Sequence, residues 1–448
     1  LKESGKKPLT DVSSNIIEAL TIESLAYGGY GLGHHAGKVV FVPFTAPGDR
    51  VRCRVEREKK RYAEASAEKI LSPAPERRTA PCPVFSDCGG CQWQHLPYAL
   101  QLTWKFRIFQ SILERQAGID PSLVLPVAGA PQEWGYRSRA QLKIRRTDRG
   151  LAMGFFRRGS HYVVDVAACP ILHPRLNETW ALFRPWLEQA PDSDRCPQLD
   201  LETGDDGRVR AVLHYIGGRP EEMAKYLLPR VAETDISLFL QSGRKDSLVQ
   251  VTGMKDLVIR VGEPSLDLRY GPGGFAQINL EQNRAMVSEA LALFPTPGPR
   301  RILDLFCGMG NFSLPLARRT GHVVGVENYR PSIEKARQNA AANGIENAEF
   351  HALPAAGAIG RFSKEGRFDL ILLDPPRSGA YDVSRELVAS GADQILYVSC
   401  DPPTLARDLL PLVHGGYRVV WSRPFDLFPQ THHTESMTLL RKGKKERD

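Results

Sequence analysis

The 448-residue chain carries 59 Lys and Arg against 51 Asp and Glu, a formal net charge of +8, with 42% hydrophobic and 25% charged residues. This composition excludes a low-complexity or fibrous chain, and at about 150 residues per domain the length suggests about three domains. No run approaches the ~18 apolar residues of a membrane span and the Lys-rich start lacks the apolar stretch of a signal peptide, so a cytoplasmic location is the default expectation.

The chain opens on Leu1 rather than Met, and residues 1–15 and 442–448 read as flexible, solvated tails. From Ile16 to residue 73 short β-rich runs such as Lys38 to Val42 and Arg50 to Val55 are separated by glycine turns. That pattern predicts a small OB-like β-barrel. The side-chain period of two puts Val51, Cys53 and Val55 on its core face and Arg50, Arg52 and Arg54 on the other, where three arginines beside Lys59, Lys60 and Arg61 suggest RNA contact. Gly29-Tyr30-Gly31-Leu32-Gly33 imitates part of a dinucleotide fingerprint, but no helix is predicted after it.

Pro73, Pro75 and Pro81 form a linker into a cysteine cluster, Cys82-x5-Cys88-x2-Cys91, followed by a helix over Tyr98 to Ala117. Cys169-Pro170 offers a fourth thiolate, with Cys53 and Cys196 as competitors. Four thiolates suit a [4Fe-4S] cluster or a structural zinc, and spacing alone leaves both open. The segment 74–270 reads as a central α+β domain, with strands at Ala140 to Arg145, Tyr162 to Val166 and Val209 to Tyr215. Its most basic portion runs from Arg137 and Arg139 through Lys143, Arg145 and Arg146 to Arg157 and Arg158.

Over 271–441 strands near Ile302, Val323, Phe350, Leu370, Ile395 and Arg418 alternate with helical stretches at Pro331 to Asn343 and Pro403 to Leu412. The alternation predicts a doubly wound, Rossmann-like parallel sheet whose ligands gather at the carboxyl ends of its strands. Asp304-Leu305-Phe306-Cys307-Gly308-Met309-Gly310-Asn311-Phe312 is a strand running into a glycine turn, and Glu327 ends the next strand, where a carboxylate can accept from ribose hydroxyls. The third glycine of the NAD fingerprint is absent, so S-adenosylmethionine (SAM) fits better.

Asp374-Pro375-Pro376-Arg377 and Ser399-Cys400-Asp401-Pro402 close two later strands. Exocyclic amine methylation commonly uses an aromatic residue where Arg377 stands, and cytosine C5 methylation a cysteine directly after the proline. A cysteine one strand later favours uracil C5, a carbon too weakly nucleophilic to be methylated until a thiolate adds at C6. Cys400 is then the nucleophile and Glu435, in the run from Phe428, the candidate base. Cys307 reads as a buried structural cysteine. A target uracil stacked in folded RNA would have to be extruded into such a pocket.

Across Ile16 to Arg441 the chain resembles the RNA uracil-C5 methyltransferases, in particular the RumA-like branch that acts on 23S rRNA and carries an N-terminal TRAM domain. The resemblance rests on the cysteine spacing, Gly135-Tyr136-Arg137, Val164-Asp165-Val166 with Cys169-Pro170-Ile171-Leu172, Phe275-Ala276-Gln277-Ile278-Asn279, the glycine turn, Asp374 to Gly379, Ser399 to Pro402 and Asp426 to Glu435. It implies that Cys82, Cys88, Cys91 and Cys169 hold a [4Fe-4S] cluster. It also implies that Gln277, Phe306, Asn311, Glu327 and Asp374 contact SAM, with Cys400 as nucleophile and Glu435 as base. Members often carry an acidic residue near the adenine after the third strand. This chain has Phe350-His351-Ala352-Leu353-Pro354-Ala355 there, so a backbone amide or another side chain must serve. Radical SAM chemistry is rejected, because it uses a tighter cysteine spacing and needs no C6 nucleophile. The resulting order of functions is methylation of 23S rRNA, the same reaction on tRNA, and a non-catalytic RNA-binding or chaperone role, with RNA as partner, no membrane and a monomeric chain.

Overall fold

The computed structural model describes residues 15–244, 247–293 and 300–443, and most of the expected tails lie outside them. The chain divides into two compact units. The first comprises the chain up to Ser86, Cys91–Trp104 and Gln430–His432, and the second comprises Asp87–Gly90, Lys105–Pro429 and His433 onward. No helix among the described residues is long and apolar enough to cross a membrane.

In the first unit β1 (Ile16–Thr21), β2 (Ser24–Ala26), β3 (Tyr30–His35), β4 (Lys38–Pro43), β5 (Arg50–Glu58) and β6 (Tyr62–Ser72) form one sheet in the order β1-β5-β6-β4-β3-β2. Alternation works as expected, with Val51 and Cys53 buried in a core that also holds Ile17, Val40 and Val42. The opposite face differs from the expected cationic strip. Arg52 pairs with Glu18 at 3.2 Å and Glu68 at 3.7 Å, and Arg54 also pairs with Glu68. Cross-strand carboxylates therefore offset much of this charge. Gly31 lies within β3, with no helix after it. An added Cβ there would sit 2.1 Å from Thr45 Oγ1, so the glycine serves close packing.

α1 (Tyr98–Ala117) leads into the second unit's first sheet. Its strands are β7 (Arg139–Thr147), β8 (Gly150–Phe156), β9 (Val163–Asp165), β10 (Gln198–Thr203), β11 (Val209–His214), β12 (Ile236–Gln241) and β13 (Leu248–Thr252), in the order β13-β12-β11-β10-β7-β8-β9. α2 (Pro174–Glu188) and α3 (Pro220–Val231) pack on it, and β14 (Leu257–Val261) pairs with β15 (Leu266–Tyr270) in a hairpin.

The second sheet follows α4 (Leu280–Ala292). In chain order it contains β16 (Arg301–Leu305), α5 (Ser313–Ala317), β17 (His322–Glu327), α6 (Arg330–Ala342), β18 (Ala348–Ala352), α7 (Ala358–Phe362), β19 (Leu370–Leu373), α8 (Tyr381–Ser390), β20 (Gln394–Ser399), α9 (Pro402–His414), β21 (Tyr417–Phe425) and β22 (Glu435–Lys442). Strand order is β18-β17-β16-β19-β20-β22-β21. β16 to β20 run parallel and β22 runs antiparallel between β20 and β21. Ile302, Val323, Leu370, Leu372 and Leu396 feed one core, whereas Leu303, Val324, Ile371, Leu373 and Ile395 feed the other. Strands buried on both faces need near-continuous apolar runs, which these have.

Candidate active site

The sheet order β16-β19-β20-β22 brings the separated motifs to one edge. β20 ends at Ser399, which pairs with Ser436 of β22, so the next residues on the two strands, Cys400 and Glu435, stand side by side. The Ser436 hydroxyl donates to the Ser399 carbonyl at 3.2 Å and reinforces this register. Behind the nucleophile the Asp401 side chain accepts from the Thr404 N–H at 3.0 Å and caps α9. Glu435 is buried rather than a surface carboxylate.

Charge ties these groups to the end of β19. Burial pushes the Cys400 thiol up to about 12, with Glu435, Asp374 and Asp401 adding to the rise and Arg377 opposing it. Burial also raises the Glu435 carboxyl well above the usual range, again with Asp374 raising and Arg377 lowering it. Asp374 is raised by burial as well. Three acidic groups thus share a poorly hydrated site, and Arg377 favours the anions of both Cys400 and Glu435. Perturbed groups gathered in this way mark a reactive site.

The glycine turn lies two strands over from β20. Phe306 adopts φ 64°, a costly conformation for a bulky residue, as the chain leaves β16. Gly308 and Gly310 continue the turn at φ 56° and 95°. Asn311 exchanges two amide hydrogen bonds with Asn283 of α4 at 2.8 and 2.9 Å. Asn283 follows the helix cap Asn279 by one turn, a spacing the sequence displays but sequence reasoning did not use. Glu327 accepts from the Tyr329 N–H at 2.7 Å. Asp304 is buried and bonded by the Ser313 hydroxyl, and burial raises its carboxyl to about 7. Cys307 is buried with its thiol pushed well up by burial, in keeping with a structural role.

Gln277, itself buried, sits before α4 in a stretch pinned by the Ser138 N–H, which donates to the Ile278 carbonyl at 2.8 Å. A pocket of about 200 Å³ opens beside this stretch, lined by Tyr270, Phe275, Met309 and Tyr329. Beyond β18, the Leu353 N–H is spent on the Glu327 carbonyl at 3.1 Å, so this amide is not available for adenine. A wider groove of about 600 Å³ lies in the β7–β8 region, lined by Arg137, Lys143, Phe155, Phe156, Arg157 and Arg158. Lys143 lies 5.3 Å from the centre of the Phe156 ring.

Cys53, Cys82, Cys196, Cys307 and Cys400 are free thiols. The Gly90 N–H donates to Cys88 Sγ at 3.4 Å, and Asn177 holds both the N–H and the carbonyl of Cys169. Among the described residues no three His, Cys, Asp or Glu side chains are grouped to hold a metal ion.

The family model described as tRNA (Uracil-5-)-methyltransferase matches residues 98–443. The chain belongs to this family. A TRAM domain model matches residues 17–67, over the first-unit sheet. Among curated relatives of this RNA uracil-C5 methyltransferase, the chain is 37% identical over 431 residues to the 23S rRNA (uracil(1939)-C(5))-methyltransferase RlmD of Alkalilimnicola ehrlichii, covering 94% of this chain and 96% of that one. It is 36% identical to the protein of the same description from Pseudomonas aeruginosa, with 95% and 94% covered. Among solved structures it resembles the Pyrococcus abyssi tRNA (uracil-54, C5)-methyltransferase in complex with S-adenosyl-L-homocysteine, with TM-score 0.74, 27% identity, and 94% and 99% covered.

Proposed function

We propose that this methyltransferase uses SAM to methylate C5 of a uridine in 23S rRNA, with Cys400 as nucleophile and Glu435 as base. The pairing of β20 with β22, which sets these two residues together beside Asp374 and Arg377, is the observation that carries the reading. The rRNA substrate is supported by the relatives' described activity.

SAM, when bound, supplies an electrophilic methyl group, and Gln277, Phe306, Asn311, Glu327 and Asp374 are the residues proposed to hold it. The Cys400 thiolate adds to C6 of the uracil and pushes the ring electrons toward O4, so that C5 carries enolate character. C5 takes the methyl carbon as the carbon–sulfur bond of the sulfonium breaks. The Glu435 carboxylate then takes the C5 proton, the C5–C6 double bond reforms, and the C6–S bond breaks to return the thiolate. A raised carboxyl suits the proton-transfer step, because its anion is a stronger base than an ordinary carboxylate. Arg377 stabilises the anions of both residues.

We also propose the domain limits 16–73, 74–270 and 271–441, a monomeric cytoplasmic enzyme, and an RNA path along the basic groove of the β7–β8 region. The [4Fe-4S] cluster remains a proposal for Cys82, Cys88, Cys91 and Cys169. Four thiol side chains and the N–H directed at Cys88 Sγ suit thiolate ligation, although among the described residues no three such side chains are grouped to hold a metal ion.

The test is methyl transfer to unmodified 23S rRNA and tRNA by anaerobically purified enzyme, with nucleoside mass spectrometry and iron analysis of the same preparation. The expected product is 5-methyluridine in 23S rRNA, with none from Cys400→Ala. Glu435→Gln is expected to accumulate protein-linked RNA because C5 keeps its proton. Product confined to tRNA would replace the rRNA reading, and iron-free, active protein would remove the cluster from it.

A further inference from the structure

The buried carboxylate of Asp408 takes no part in the reaction above, yet it joins three elements around it. It lies on α9, the helix that begins just after Cys400, and its side chain is fully buried. Asp408 Oδ2 accepts from the Tyr397 hydroxyl at 2.6 Å, on the strand that ends at the nucleophile. The same oxygen accepts from the Ala380 N–H at 2.6 Å, where the chain leaves the Arg377 loop for α8. Oδ1 accepts from Arg407 Nε at 2.8 Å, and Arg407 Nη2 reaches the Ser378 carbonyl at 2.8 Å. Gly379, with φ +73°, lets the loop approach this closely. A Cβ there would stand 2.3 Å from Asp408 Oδ2 and 2.6 Å from Arg407 Nη2.

A buried charge is expensive to desolvate, and this one is matched by donors from the strand, the loop and its own helix. The network fastens Ser378 and Ala380, just after Arg377, and Tyr397 anchors the same carboxylate to the strand that presents Cys400. We propose that Asp408, braced by Arg407, is the positioning residue that fixes the loop carrying Arg377, so that its cation favours the anions of Cys400 and Glu435. The part assigned to Arg377 rests on the functional reading above, whereas the fastening itself can be measured without RNA.

The experiment follows alkylation of Cys400 by iodoacetamide across pH in the full-length protein, by peptide mass spectrometry. Formation of the covalent adduct with 5-fluorouridine RNA is followed over the same range. Asp408→Asn keeps the volume and loses the charge. Its alkylation profile is expected to move to higher pH, with a rate about tenfold lower at a given pH for each unit of displacement. Adduct formation should slow in parallel, while the KM for SAM stays unchanged. Arg407→Gln, at a half-exposed position, is expected to shift the profile in the same direction by less, and it decides the matter if Asp408→Asn does not fold. A merely structural role would lower Tm and leave the profile of the folded fraction in place, and a wild-type profile in the folded variants would overturn the proposal. Absence of an adduct with wild-type protein would count against the uracil reading alone, because the alkylation profile still tests the fastening.

Discussion

Cys400 has the chemistry of a nucleophile and the surroundings of a poor one. Its thiol stands at about 12 because burial and the carboxyl groups of Glu435, Asp374 and Asp401 all oppose the thiolate, with Arg377 pulling the other way. Below that value the thiolate fraction grows about tenfold per pH unit. The rate of adduct formation with 5-fluorouridine RNA should therefore climb through neutral and alkaline pH, with no acidic optimum. Arg377→Ala removes the cation and should displace the curve to higher pH, which stopped-time gel analysis of the adduct would record. A curve that is flat from pH 6 to 9, or unmoved in the variant, would contradict this account. Cys400 and Asp374 were legible in the sequence because each follows a buried apolar strand. Glu435 could be named there as a candidate base because the chemistry needs one, but its burial depends on a strand pairing that the sequence does not display.

At the scale of elements, α9 has two roles that can be separated at its cap. Asp401 accepts from the Thr404 N–H and so supports the helix, and its charge also raises the neighbouring thiol. Asp401→Ala should cost about 1 kcal/mol of stability, as loss of an N-cap commonly does. Asp401→Asn preserves the cap and should change stability by only a few tenths of a kcal/mol. Both substitutions should move Cys400 alkylation to lower pH, since both remove the anion. Denaturant melts and the alkylation profile together check this, and loss of stability equal in the two variants would rule out the capping role. The expected strands of the C-terminal sheet all occur, but β22 was not foreseen as a strand. It runs antiparallel and finds its partners β20 and β21 only through long-range pairing. The arginines of β5 show the converse. Their shared face was predictable from a period of two, whereas their neutralisation by Glu18 and Glu68 depends on which strands lie beside them.

For the whole molecule, the +8 charge is less informative than where cations gather beside aromatic rings. The β7–β8 groove combines Lys143, Arg157 and Arg158 with Phe155 and Phe156, the mixture that suits a backbone and an unstacked base. Arg157→Glu should weaken binding of the RNA substrate and flatten its salt dependence, while Phe156→Ala should weaken it with the salt slope preserved. Arg54→Glu, on the partly neutralised face of β5, should do less than Arg157→Glu. Filter binding from low to moderate salt would measure all three, and an equal loss from Arg54→Glu and Arg157→Glu would remove the groove from its special place.

Local sequence carries most of the elements, though not β22, and the chemistry available to them. Buried parallel strands must be written as apolar runs, their ends must break in glycine, proline or aspartate, and a thiol at such an end has few other uses. Tertiary structure decided which charges act on one another. Asp374 and Arg377 come from one strand end, Cys400 from the next and Glu435 from an antiparallel strand beyond it, so their mutual perturbation arises only when β20 pairs with β22 and water is excluded. Proton affinity depends on distance and burial, and neither is written in local sequence.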